Sequence, residues 1–164
     1  MIIYLFHNML KYKSFYSYLL NESEDSPDYF YGRSGAGCLF LSTSTKRFLV
    51  SYRSGHVEQP YTWGGWGGAI NYGESPEEGA IREAYEETGY DATGNTIIPL
   101  CIFSKNNFKY HNFLVLVEDE FTPRLDWETD NFRWVKFGEW PKPLHFGLQY
   151  LLDHSSKILE KYIK

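Results

Sequence analysis

Glu74, Arg82, Glu83, Glu86 and Glu87 fall between two glycines, Gly68 and Gly89, in the stretch GAINYGESPEEGAIREAYEETGY. If the segment is helical, each residue turns by about 100°, so Glu83 and Glu87 lie about 40° apart and Glu86 about 60° to the other side of Glu83. Three carboxylates then share one face. Like charges at those spacings repel by a few tenths of a kcal/mol in solvent, and by more when partly buried. Such a face is either a solvated acidic surface or a site for a hard divalent cation. Mg²⁺ suits it chemically, because that ion takes carboxylate and water oxygens and commonly bridges to phosphates. Taken alone, the three glutamates favour the solvated surface.

The elements that would position them are well marked. Ser75 is a good N-cap, Pro76 suits the first helical position, and Glu78 completes a capping box with Ser75. Gly89 suits the position just past the helix end, so the spacing predicts a helix from Pro76 to Thr88. Ala80, Ala84, Ile81 and Thr88 would form its packing face. Upstream, Trp63–Ile70 (WGGWGGAI) is glycine-punctuated and reads as extended backbone that approaches something closely. Gly37–Ser42 and Arg47–Tyr52 read as a hairpin around Thr43–Lys46, followed by a loop over Arg53–Pro60. Further strands are expected at Ile97–Phe103, Phe108–Val117 and Phe132–Phe137. Between the last two lies an acidic loop, Glu118–Asp130. Leu148, Leu151, Leu152, Ile158, Leu159 and Tyr162 recur at helical spacing, so an amphipathic helix closes the chain. Strands, a helix, more strands and a final helix predict an α/β fold, a mixed sheet sandwiched by helices. Residues 1–34 read as an extension packed on a main domain of residues 35–164.

Composition narrows the function classes. The chain has 164 residues, 43% hydrophobic and 23% charged, which suits one globular domain with a real core. A net charge of −5 without a basic run argues against broad nucleic-acid binding, DNA included. It leaves room for a phosphate-bearing small molecule bridged by cations. Aromatics reach 19%, most of them expected in the core, with a minority able to stack on a planar ligand. Cys38 and Cys101 sit in apolar runs without ligand spacing, so free thiols and a reducing, cytoplasmic location are expected. No run reaches membrane-spanning length. The five histidines are scattered, no phosphate-binding Walker loop is present, and Gly35-Ala36-Gly37 precedes a strand, so it is not a dinucleotide fingerprint.

The wider pattern reverses that preference for a solvated surface. Gly68, then Glu74, then Arg82-Glu83-Ala84-Tyr85-Glu86-Glu87-Thr88-Gly89-Tyr90 resembles the signature box of the Nudix hydrolase family. Ala84 and Tyr90 stand where aliphatics are usual, and Trp66 stands where the family often has proline. The resemblance runs from near Gly35 to the C-terminal helix. It implies an α/β/α sandwich, a catalytic loop–helix, and Mg²⁺-dependent hydrolysis of a nucleoside diphosphate linked to another moiety, with Mn²⁺ as an alternative ion. It implies metal ligation by Glu83, Glu86, Glu87 and the Gly68 carbonyl, an outer contact from Glu74, and hydrogen bonds from Arg82 that hold the carboxylates. Outside the box, it points to Arg53 as a phosphate contact and to Glu128, with its neighbours Asp126 and Asp130 as substitutes, as a metal ligand or general base. Glu83 and Glu86 are candidates for the base as well. Trp63 and Tyr110, with Tyr61 and Phe108, are candidates for contacts to the nucleotide. The partner expected is a small nucleotide, with no membrane or DNA and with a homodimer left open. The rival readings are an RNA 5′-end pyrophosphohydrolase and a nucleotide-sensing module without turnover.

Overall fold

The computed structural model describes residues 34–164, so all but the last residue of the expected extension lies outside the described residues. Along the chain these residues form β1 (Ser34–Ser42), β2 (Arg47–Arg53), β3 (Trp63–Gly64), β4 (Trp66–Ala69), α1 (Pro76–Thr88), β5 (Thr96–Lys105), β6 (Phe108–Val117), β7 (Thr129–Lys136) and α2 (Phe146–Tyr162).

β1 is the centre of the sheet. Along one edge it runs parallel to β6, from Ser34 opposite Lys109 to Ser42 opposite Val117. Its other edge is divided. Gly35–Cys38 pair antiparallel with β4, and Phe40 and Leu41 pair with β2 in the expected hairpin. β2 in turn pairs with β3 and β7, while β5 extends the sheet beyond β6. The glycine-rich stretch expected as one extended run is therefore two short strands on different partners. Splitting one edge between β2 and β4 lets the sheet open where β3, β4 and the end of β2 meet.

Side-chain alternation along β1 sets the layers. Ala36, Cys38 and Phe40 point to one side and join Leu49, Trp66, Phe113, Val115 and Val117 beneath α1, which contributes Ala80 and Ala84. Leu39 and Leu41 point to the other side and join Phe48, Val50 and Leu114 against Leu148, Leu151, Leu152 and Leu159 of α2. The result is a mixed sheet between two helices, as the sequence predicts. Small residues at Gly79, Ala80 and Ala84 are buried under α1, so this helix sits close to the sheet and its charged face lies near the strands. Both cysteines are free thiols, Cys38 buried and Cys101 half-buried.

Candidate active site on the α1 loop–helix

The helix carrying the glutamates starts and stops as its sequence dictates. The Ser75 hydroxyl accepts from the Glu78 amide at 3.2 Å, and the Glu78 carboxylate accepts from the Ser75 amide at 2.8 Å. Gly89 takes a left-handed conformation (φ 72°) and returns its N–H to the Tyr85 carbonyl at 2.8 Å.

Arg82 organises the first half of the site. Its Nε and Nη2 grip both oxygens of Glu74, at 2.7 and 3.1 Å. Nη1 donates to Glu83 at 2.8 Å and to Glu86 at 3.3 Å, and Nη2 also reaches the Ala69 carbonyl at 2.7 Å. One guanidinium thus ties three carboxylates to the end of β4. A fork-on-carboxylate pair is the strong form of this contact. Hydrogen bonding from Arg82, reinforced by the Asn71 amide, holds the Glu74 carboxyl down to about 2. With both oxygens engaged in this way, Glu74 acts on the site through Arg82.

Glu87 organises the other half, and its surroundings are opposite in kind. One of its oxygens accepts from the Gly67 amide at 2.9 Å. Burial, then the charges of Glu128, Glu83 and Asp126, push its carboxyl well above the usual range. The Glu83 carboxylate lies directly on the backbone of Gly68, where a Cβ would come within 2.7 Å of its Cδ. A side chain at this position would displace the Glu83 carboxylate. The Gly68 carbonyl oxygen is on the β1 side, 2.8 Å from where a Cβ on Gly35 would stand.

The residues expected from outside the box come together through strand pairing. β2 and β7 run antiparallel, with Arg53 opposite Thr129 across a bulge, and the Ser54 amide donates to the Glu128 carbonyl at 2.8 Å. Arg53 and Glu128 are therefore neighbours at the open end of the sheet, and Glu128 is close enough to Glu87 for their charges to interact. The Arg53 Nε donates to the Glu58 carbonyl at 2.8 Å, which fixes the plane of its guanidinium. His145, at the start of α2, caps that helix by accepting from the Gly147 amide at 3.1 Å. Burial, with the Arg53 charge, holds its imidazole down to about 3, so it is neutral.

Trp63 and Tyr110 part company. Trp63 is 5% exposed and packs in the α2-side core, with Tyr52 at 4.9 Å between ring centroids and Arg133 at 5.0 Å over the ring. Tyr110 is half-exposed on β6, and its ring lies across β1, over Gly35 and Gly37. Those two glycines carry no motif, and the only sequence signal for their role is a tyrosine on a distant strand.

Could these residues hold a cation? Among the described residues no three of His, Cys, Asp and Glu are gathered tightly enough to enclose an ion. Glu83 and Glu86 are drawn towards Arg82 instead. The chemistry of the donor set nevertheless fits a divalent ion. A buried carboxylate facing three other acids has a large unmet need for positive charge, and oxygen donors of this kind suit Mg²⁺ or Mn²⁺. No helix among the described residues is long and apolar enough to cross a membrane.

Residues 32–154 match the model of the NUDIX domain family. A putative 8-oxo-dGTP diphosphatase of Bacillus subtilis is 34% identical over 107 residues, 65% of this chain and 68% of that protein. A putative 8-oxo-dGTP diphosphatase 3 of Mycobacterium tuberculosis is 39% identical over 72 residues, 42% of this chain. The matched segment spans 33% of that relative's length. Among solved structures, the NUDIX domain of Shewanella oneidensis NrtR, crystallised with ADP ribose, superposes with a TM-score of 0.65 at 20% identity. That alignment covers 88% of this chain and 97% of the other, a likeness of fold.

Proposed function

The chain belongs to the Nudix family, and on that premise we propose that it hydrolyses a pyrophosphate bond in a nucleoside diphosphate linked to another moiety. Nucleoside triphosphates fall within this class, as the names of the Bacillus and Mycobacterium relatives suggest for those proteins. The observation that carries the reading is Glu87, a buried carboxylate set against Glu128, Glu83 and Asp126 and anchored by the Gly67 amide. Such an arrangement is costly to a protein that leaves it without a cation.

Glu83, Glu86, Glu87 and the Gly68 carbonyl would hold a divalent ion, Mg²⁺ or Mn²⁺. The chemistry such an ion supplies when bound is neutralisation of diphosphate charge and acidification of a water. The chain's own residues do the rest. Arg82 restrains Glu83 and Glu86 so that they need little reordering on binding. Arg53, its plane fixed by the Glu58 carbonyl, takes a phosphate oxygen. Three glutamates are candidates to accept the proton of the attacking water. Glu83 and Glu86 are each engaged as acceptors by Arg82 Nη1, so the role is assigned to Glu128 beside Glu87. Trp63, held in the core, is not given a substrate contact. The products are a nucleoside monophosphate and a phosphorylated remainder, or pyrophosphate when the substrate is a triphosphate.

The test is a panel of 8-oxo-dGTP and ordinary nucleoside triphosphates, ADP-ribose, nucleotide sugars, dinucleoside polyphosphates and 5′-triphosphate RNA. Each is assayed with Mg²⁺ for wild type and Glu87→Gln. Turnover of at least one small nucleotide by wild type alone supports the reading. Turnover of the RNA alone favours a 5′-end pyrophosphohydrolase, and tight nucleotide binding without turnover favours a sensing module.

A further inference from the structure

The Tyr110 phenol occupies a space that three glycines keep open. A Cβ on Gly35 would lie 2.7 Å from Tyr110 Cδ2, one on Gly67 would lie 2.6 Å from its Oη, and one on Gly37 would collide with the same oxygen. Gly35 and Gly37 of β1 and Gly67 of β4 thus leave room both for the phenol and for the close backbone approach of the two strands. Gly67 is also the residue whose amide anchors Glu87. The hydroxyl is close enough to Glu87, Glu83 and Arg53 to feel the charge of each. Through Gly67 it lies beside Glu87, one of the carboxylates expected to meet the ion.

At that place Tyr110 Oη makes no hydrogen bond to any described residue, while its ring is seated on the β1 glycines. The residue is half-exposed and no described residue pairs with its hydroxyl, so that hydroxyl is open to a ligand. One ring face is pressed on β1, and Phe108 stands 6.4 Å away at a 36° tilt. That is a poor platform for a base. From this geometry we propose that Tyr110 binds substrate through its hydroxyl, donating a hydrogen bond to a diphosphate oxygen held between Arg53 and Glu87, and not by stacking. The assignment rests on the function proposed above and replaces the stacking role that the sequence suggests for this residue. A phenol ordinarily keeps its proton at neutral pH, so the hydroxyl is available as a donor.

The experiment compares Tyr110→Phe, which keeps the ring and removes the hydroxyl, with Tyr110→Leu, which removes both. ADP with Mg²⁺ is titrated into each protein by calorimetry, and kcat/KM is measured on the best substrate of the panel. Because the hydroxyl bonds to no described residue, Tyr110→Phe should unfold at the wild-type temperature. A hydrogen bond to a charged oxygen predicts roughly ten- to a hundredfold weaker ADP binding in Tyr110→Phe, with an equal fall in kcat/KM. Tyr110→Leu should lose little more. Wild-type affinity in Tyr110→Phe overturns the proposal, and a loss confined to Tyr110→Leu does so in favour of stacking. If wild type turns over nothing in the panel, the hydrolase reading fails, while a weaker ADP titration in Tyr110→Phe still upholds the hydroxyl as a diphosphate contact.

Discussion

Glu74, Glu83 and Glu86 face Arg82, whereas Glu87 faces Glu128, Glu83 and Asp126. The two sets lie within a few turns of the same loop and helix, yet one is gathered on a guanidinium and the other on a backbone amide. On the Arg82 side, the guanidinium meets three carboxylates and a carbonyl, and ionisation of Glu74 is favoured. On the Glu87 side, the carboxylate takes its hydrogen bond from the backbone amide of Gly67, and burial with the charges of Glu128, Glu83 and Asp126 opposes its ionisation. The first set is finished as protein structure. The second would be completed by a cation, which is where the proposed chemistry is placed.

The largest effect should come from neutralising the unbalanced side. Glu87→Gln keeps the shape and the Gly67 contact but removes the charge that a metal needs. Hydrolysis should fall about 10³-fold, equal to about 4 kcal/mol at 1.36 kcal/mol per tenfold. Without metal, the same variant should melt no lower than wild type, since it relieves repulsion among four acids. Activity within tenfold of wild type, or a marked loss of metal-free stability, would erase the distinction between the two sides.

Arg82→Ala attacks the balanced side and should give the opposite pattern. It leaves Glu74 and Glu83, whose side chains are 22% and 13% exposed, without their cation. A loss of about 2–3 kcal/mol is expected, below the range for fully buried pairs, and for a domain of this size that lowers the melting temperature by about 5–10 °C. Activity should fall as well, because Glu83 and Glu86 lose their restraint. Differential scanning calorimetry in EDTA separates the variants: Arg82→Ala unstable, Glu87→Gln not.

Metal linkage is a smaller effect that sharpens the same contrast. At ten times its Kd, Mg²⁺ should stabilise wild type by about 1.4 kcal/mol. Glu87→Gln should lose most of that shift. Glu74→Gln should keep it, because both Glu74 oxygens are engaged by Arg82. A full Mg²⁺ shift in Glu87→Gln would place the ion elsewhere.

How much of this is legible in the sequence follows from how local each cause is. The span of α1, its capping box and its shared carboxylate face are set by residues within one or two turns, so Ser75, Glu78 and Gly89 can be read directly. The family box names the ligands but not the asymmetry between them. That asymmetry depends on Glu128 and Asp126, which arrive through the β2–β7 pairing from far along the chain. Arg53 meets Glu128 by the same pairing, and neither periodicity nor spacing reports it. Gly35 and Gly37 carry no readable role because the tyrosine they accommodate is on β6. Trp63 looks available beside the glycines, but pairing of Trp63 with Tyr52 turns its indole into the α2-side core. The free thiols, the two helices and most strands are legible, and the divided edge of β1 is not.

The smallest effect concerns the pH dependence of the balanced side. Arg82 holds the folded Glu74 carboxyl at about 2, below its ordinary 4.5. Its ionised form is thus favoured by folding, and the stability this contributes is complete above the ordinary value. As pH falls from 4.5 towards 2 the unfolded chain takes up a proton before the folded one does, and the contribution drains away. Glu74→Gln lacks the charge at every pH. The melting temperature of wild type should therefore exceed that of Glu74→Gln by a few degrees at about pH 7, and the two should converge between pH 4.5 and 2. Other carboxylates titrate in both proteins and cancel in the difference. If the gap instead stays constant down to about pH 2, Glu74 contributes shape and not charge, and the balance on that side of the helix rests on Glu83 and Glu86 alone.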